Sequence, residues 1–166
     1  MLSFTPNGPF EIPVYSGKAA NTITTAEVQQ FWKDNAAYAN RRGCYVFGIR
    51  SGRGLTPFYV GKATKGFKQE AFAPHKLAKY LQALADYRKG TPVIFFIAAP
   101  TQKGVVNKVA IKNLEDFLIQ TATSSNPDLL NVKGTKQADW AIAGVVRGGV
   151  GKPSGAARAL RKCLQV

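Results

Sequence analysis

Gly43-Cys44-Tyr45-Val46-Phe47-Gly48-Ile49-Arg50-Ser51-Gly52-Arg53-Gly54-Leu55-Thr56-Pro57-Phe58-Tyr59-Val60-Gly61-Lys62 is the stretch on which the reading of this chain turns. Its two β-rich runs, Cys44 to Ile49 and Phe58 to Val60, flank the turn sequence Ser51-Gly52-Arg53-Gly54, which is the pattern of a β-hairpin. Each run carries a tyrosine and a glycine in mirrored order: Gly43-Cys44-Tyr45 on the first, Tyr59-Val60-Gly61 on the second, with Lys62 directly after. Pairing the strands across the turn brings the two tyrosines side by side.

Upstream, Thr24 and Glu27 form a capping box that opens a helix to about Tyr38, closed by Asn40-Arg41-Arg42-Gly43. The residues before it, with Pro6, Pro9 and Pro13, read as an extended arm. Downstream, a helical stretch runs from about Lys68 to Arg88, and Pro74 either kinks it or starts its main part. Gly90-Thr91-Pro92 breaks the chain, and Val93 to Ile97 reads as a buried central strand. Val105 to Ala122 is a helix whose apolar face carries Val106, Ala110, Leu114, Phe117, Leu118 and Thr121. Past Leu130 come a short apolar strand (Trp140 to Val146), a glycine-rich turn and a basic helix from Ala156 to Leu164. This order predicts an α/β (α+β) fold, a small mixed or antiparallel three-stranded sheet flanked by helices. The divisions are an N-terminal arm and helix (1–42), a core (43–132) and a basic C-terminal extension (133–166) packed on that core, one domain overall.

Composition limits the partners. The chain has 166 residues, 45 per cent of them hydrophobic, enough for one domain with a sizeable core. Disorder and fibrous repeats are excluded. Lys and Arg number 23 against 9 Asp and Glu, a net charge of +14, which points to a polyanion and foremost to nucleic acid. Two cysteines and a single histidine, His75, build neither a disulfide framework nor a Cys/His zinc site. The first residues lack the pattern of a secretory signal, and the longest apolar run, Val93 to Ala99, is too short for a bilayer. A cytoplasmic protein without a membrane partner is expected. Gly149-Val150-Gly151-Lys152 has Val146 where a phosphate loop needs glycine, and Pro153 follows, so no nucleotide cofactor is expected.

Glu115 stands apart among the few acids. Ile111 and Ile119 lie one helical turn to either side, and a carboxylate so bracketed needs a partner, a metal ion or a base. A surface pair with Lys108 or Lys112 is the plainer alternative. With no D-x-D or E-x-K cluster, a single divalent ion is expected rather than two.

The two tripeptides, Glu115 and then Asn131, in this order, resemble the GIY-YIG nuclease family. In that family a hairpin bearing both tripeptides is followed by a helix, a strand, a helix with the metal-binding glutamate, and a downstream asparagine. The resemblance spans about Gly43 to Asn131, with Cys44 and Val60 in place of isoleucines. It implies a metal-dependent endonuclease that hydrolyses phosphodiester bonds in nucleic acid, with DNA favoured over RNA. One Mg²⁺ or Mn²⁺ would sit on Glu115, Tyr45 would act as general base, and Tyr59 would orient the water or phosphate. Lys62 would acidify the phenol, Lys68 and His75 would contact the scissile phosphate or relay protons, and Asn131 would brace the site. The family's helix arginine falls at Gln69, between Lys68 and Glu70, and lysine does not reproduce a bidentate arginine contact. Lys62, then Lys68, then His75 are the cations expected to replace it. A non-catalytic nucleic-acid-binding module of the same fold is the second reading, and the absent arginine favours it. Nucleic acid would be gripped by Lys65, Arg147, Lys152, Arg158, Arg161 and Lys162.

Overall fold

The computed structural model describes residues 2–18, 20–52, 54–87, 89–100, 106–134, 142, 145 and 152–164, with only the backbone of Arg161. In chain order the elements are β1 (Thr5–Glu11), β2 (Tyr15–Ser16), β3 (Asn21–Thr22), α1 (Thr25–Asp34), a 3-10 turn (Ala36–Tyr38), β4 (Gly43–Ser51) and β5 (Gly54–Ala63). Then follow α2 (Phe67–Glu70), α3 (Pro74–Asp86), β6 (Thr91–Ala98), α4 (Lys108–Ser125) and α5 (Gly155–Leu164). The chain divides into two compact units, Met1–Thr135 and Lys136–Val166.

The first unit is mixed α/β, with an antiparallel sheet in the order β1-β6-β4-β5. It has four strands, not three. The proline-bearing arm does not stay free but pairs as β1 along β6. Prolines are tolerated on an edge strand, and the pairing slips between Asn7 and Phe10. Phe10 then packs on Tyr38 and Phe96, with ring centroids 5.0 and 5.7 Å away. The stretch from Lys68 breaks into α2 and α3, because Pro74 opens α3 at a first-turn position that needs no N–H donor. Thr24 and Glu27 form the reciprocal cap of α1.

Helix α4 departs from the expected face. Its buried residues are Ile111, Ile119, Ala122 and Thr123, while Phe117 is 64 % exposed. The helix is apolar over much of its circumference, and packing on the sheet selects the isoleucine line. Ile119 and Leu118 pack with Val46 and Val60 of the hairpin. The strand expected over Trp140 to Val146 lies, apart from Ile142 and Val145, outside the described residues.

Two apolar clusters sandwich the sheet. The larger is aromatic: Phe67 stacks on Phe96 at 4.4 Å and Phe47 on Tyr80 at 4.1 Å, with Phe31, Trp32 and Phe72 around them. The smaller, Val60, Ile119, Ala122 and Leu129, lies under α4. Among the described residues no helix is long and apolar enough to cross a membrane.

Packing explains the glycines of both tripeptides. Gly43 has φ +148°, and a Cβ there would lie 2.1 Å from the Ile97 carbonyl oxygen. A Cβ on Gly61 would lie 2.2 Å from the Tyr45 hydroxyl and 2.3 Å from its Cζ, because that ring lies across the bare backbone. Gly61→Ala should therefore destabilise the fold by about 1–3 kcal/mol, as an overpacked core does. Gly54→Ala, at an open position, should stay within about 0.5 kcal/mol of the parent. Denaturant midpoints of the two variants decide it; equal midpoints would place the Tyr45 ring elsewhere.

Candidate functional site

The site is built around one strand, β5. Tyr45 pairs with Gly61 and Phe47 with Tyr59, so the tyrosines are diagonal neighbours on one face, with ring centroids 6.4 Å apart. Cys44 pairs with Lys62 and Val46 with Val60, and these side chains occupy the opposite face, against α4. There Cys44 Sγ donates to the Ile111 carbonyl at 3.3 Å. Lys62 Nζ donates to Glu115 Oε2 at 2.7 Å, and Lys112 Nζ lies 3.7 Å from the same oxygen. The sheet thus separates the two groups: tyrosines on one side, Lys62 and Glu115 on the other. Both groups belong to the edge strand, and the Glu115 charge still raises the pKa of both Tyr59 and Tyr45.

The free edge of β5 is covered by the chain that follows α4. Asn131 Oδ1 accepts from Val60 N–H at 2.9 Å, and Asn131 Nδ2 donates to the Val60 carbonyl at 2.7 Å. Leu130 N–H donates to the Phe58 carbonyl and Asn126 Nδ2 to the Pro57 carbonyl, both at 2.8 Å. Asn131 therefore clamps the middle residue of the second tripeptide.

The two tyrosines differ. Tyr45 is wholly buried, and its hydroxyl has no hydrogen-bond partner among the described residues. Burial, then the phenols of Tyr80 and Tyr59, then the charges of Glu70 and Glu115 hold its pKa far above the usual phenol range. A phenol so buried stays neutral. Tyr59 is half-buried, and its pKa is raised by burial and then by Glu115. Tyr80, wholly buried, closes the group and donates to the Ala71 carbonyl at 2.7 Å.

The cations proposed for the missing arginine are dispersed. Lys62 is committed to Glu115. Lys68 and Gln69 are exposed on α2 and line a groove with Gln29, Trp32 and Lys33 of α1 that includes neither tyrosine. Glu70 folds back so that Oε1 accepts the N–H groups of Thr64 and Lys65, each at 2.7 Å. His75 and Lys65 are exposed. Lys76, which the sequence reading passed over, is the buried one: it shares the inner face of α3 with Tyr80, Ala83 and Leu84. Its Nζ stands 5.1 Å from the Tyr45 ring centroid, within cation–π range. The spacing from 76 to 80, 83 and 84 is the helical signal that could have found it.

In the second unit Lys152, Arg158 and Lys162 are exposed, the latter two one turn apart on α5. Arg158 Nη1 donates to the Pro153 carbonyl at 3.0 Å. Arg147 lies outside the described residues, as does the Arg161 side chain.

For a metal, Glu115 is the candidate ligand. Both lysines engage Oε2, and Oε1 has no partner among the described residues. Those residues hold no group of three or more His, Cys, Asp or Glu able to cage an ion. With two ammonium groups on its other oxygen, this carboxylate offers an ion one oxygen, and water or phosphate oxygens would have to complete the set. Compared with family models, curated proteins and solved structures, the chain shows no significant match to any of them.

Two outcomes follow from this packing. Asn131→Ala removes both bonds to Val60 and should cost about 1–3 kcal/mol, read from denaturant unfolding. The Cys44 thiol is pushed up to about 12, chiefly by burial and then by the Glu115 charge. Its neutral burial therefore stabilises the fold below pH 9, and that share is lost as pH rises from 9 towards 12. A thiol reagent at pH 8 should modify exposed Cys163 and spare Cys44 until denaturant is added.

Proposed function

We propose that this protein is a divalent-metal-dependent nuclease of the GIY-YIG type, hydrolysing phosphodiester bonds in nucleic acid, with DNA the favoured substrate. The observation that carries the reading is convergence on β5. Tyr45, Tyr59, Lys62, Glu115 and Asn131 come from four separate parts of the chain and meet on residues 58–62. The succession of hairpin, helices, strand, glutamate-bearing helix and asparagine supports it, as does the surplus of positive charge.

Glu115, through the oxygen its lysine partners leave open, would hold a single Mg²⁺ or Mn²⁺, which would supply charge neutralisation at the phosphoryl oxygens. Lys62 holds the carboxylate by its other oxygen and fixes it on the strand edge. Tyr59 takes the base role in place of Tyr45, because its hydroxyl belongs to a half-buried residue. It orients the attacking water and accepts its proton. Tyr45 serves as the packing platform on which the second tripeptide rests. Since the Tyr59 pKa lies above the usual phenol value, its phenolate fraction grows about tenfold per pH unit in the neutral and mildly alkaline range. Cleavage should climb with pH there.

A non-catalytic nucleic-acid-binding module is the second reading, favoured by the two lysines that already neutralise Glu115 and by Gln69 at the arginine position. Incubation with single- and double-stranded DNA and RNA, with Mg²⁺ or Mn²⁺ and with EDTA, separates the two. Metal-dependent cleavage should appear, vanish in Glu115→Gln with binding retained, and lose its alkaline rise in Tyr59→Phe. Binding without cleavage under every condition would select the second reading.

A further inference from the structure

Resting on the nuclease reading, we propose that Lys76 is the cation that replaces the missing arginine, its ammonium receiving a phosphate oxygen of the nucleic-acid backbone beside Tyr45 and Tyr59. Lys76 is nine-tenths buried, yet no carboxylate lies within ion-pair range of it among the described residues. Its one close protein contact is the face of Tyr45, and no acceptor among the described residues meets the ammonium, whose Nζ is not sealed from solvent. A lysine is almost never buried so far without a paired anion.

The acids nearby are engaged elsewhere. Glu70 Oε1 accepts the Thr64 and Lys65 backbone N–H groups, and Glu115 Oε2 holds Lys62 and Lys112. Lys76 thus makes no ion pair among the described residues, and an incoming anion would supply one. Tyr45 from β4 lies against it, and the charges of Glu70 from α2, Glu115 from α4 and Lys62 from β5 also reach it. Burial lowers its pKa, and the two carboxylates oppose that only in part. A phosphate anion would reverse the shift.

Position and rigidity agree. Lys76 lies on the first turn of α3, where Pro74 sets the start and its own N–H donates to the Ala73 carbonyl at 2.8 Å. One turn on, Tyr80 is locked between Phe47 and the Ala71 carbonyl. Lys62, Lys68 and His75 are each worse placed: the first is paired, and the other two are exposed.

The test follows the Lys76 side chain directly. With lysine labelled at ¹³Cε and the resonance assigned by its loss in Lys76→Arg, its pKa is titrated in EDTA, free and saturated with a short DNA duplex or single strand. Phosphate contact should raise the pKa by roughly one unit or more. An unmoved pKa at saturation overturns the assignment whatever the enzyme does, and failure of any DNA to bind overturns it together with the nuclease reading. In the parallel arm, Lys76→Met should lose roughly a hundredfold in turnover at saturating DNA with Mg²⁺, and Lys76→Arg should recover much of that. Wild-type turnover in Lys76→Met would sink the proposal. A pKa that rises in a wild type that never cleaves keeps the phosphate contact and removes the nuclease. Should Lys76→Met fail to fold, the titration alone decides.

Discussion

β5 is an edge strand, and an edge strand must have its outward backbone groups satisfied or shielded. The rest of the site depends on how this chain meets that constraint. Four outward groups, on Pro57, Phe58 and Val60, are taken by Asn126, Leu130 and Asn131. To deliver those residues, α4 must end beside the strand, and its body must then cross the hairpin. The line Ile111, Glu115, Ile119 faces the sheet, with the isoleucines buried and the glutamate partly so. That is why a carboxylate comes to rest on Lys62. An asparagine whose direct partners are backbone atoms therefore governs where the acid can stand.

On the opposite face the controlling contact is Tyr45 over Gly61. The ring fills the space a side chain would take, and it forms the floor on which Tyr59, Tyr80 and Lys76 gather. Complete burial seals Tyr45 there, while Tyr59 beside it stays half-buried. The tyrosines of the mirrored tripeptides are thus packed unequally.

The hairpin, the capping box at Thr24 and the strand over Val93 to Ile97 were legible because each rests on short-range pattern. The fourth strand was not. Three prolines signal irregular chain, and only the unpaired edge of β6 recruits that arm. The face of α4 was misread for a related reason: Val106, Ala110, Leu114 and Phe117 make as good an apolar arc as the isoleucine line, and Val46 and Val60 across the interface decide between them. Glu115 was legible from its bracketing isoleucines, although its partner, Lys62, lies on another element. Lys76 escaped because a lysine on a helix is ordinarily taken for a surface residue, and its burial depends on rings brought from β4 and α3.

The chain's few acids explain the character of its surface. Six of the nine are occupied locally: Glu11 with Arg50, Glu27 in the cap of α1, Asp34 with Gln30, Glu70 on the Thr64–Lys65 backbone, Glu115 with Lys62, and Asp116 with Lys112. Among the described residues the ion pairs engage only Arg50, Lys62 and Lys112 of the cations. Among the described residues most of the positive charge has no ion-pair partner, and it self-repels in the folded state. A polyanion relieves that repulsion and releases its own counterions in doing so. The same imbalance reappears at small scale beside Tyr45, where Lys76 is buried while the nearest carboxylates are turned to other partners.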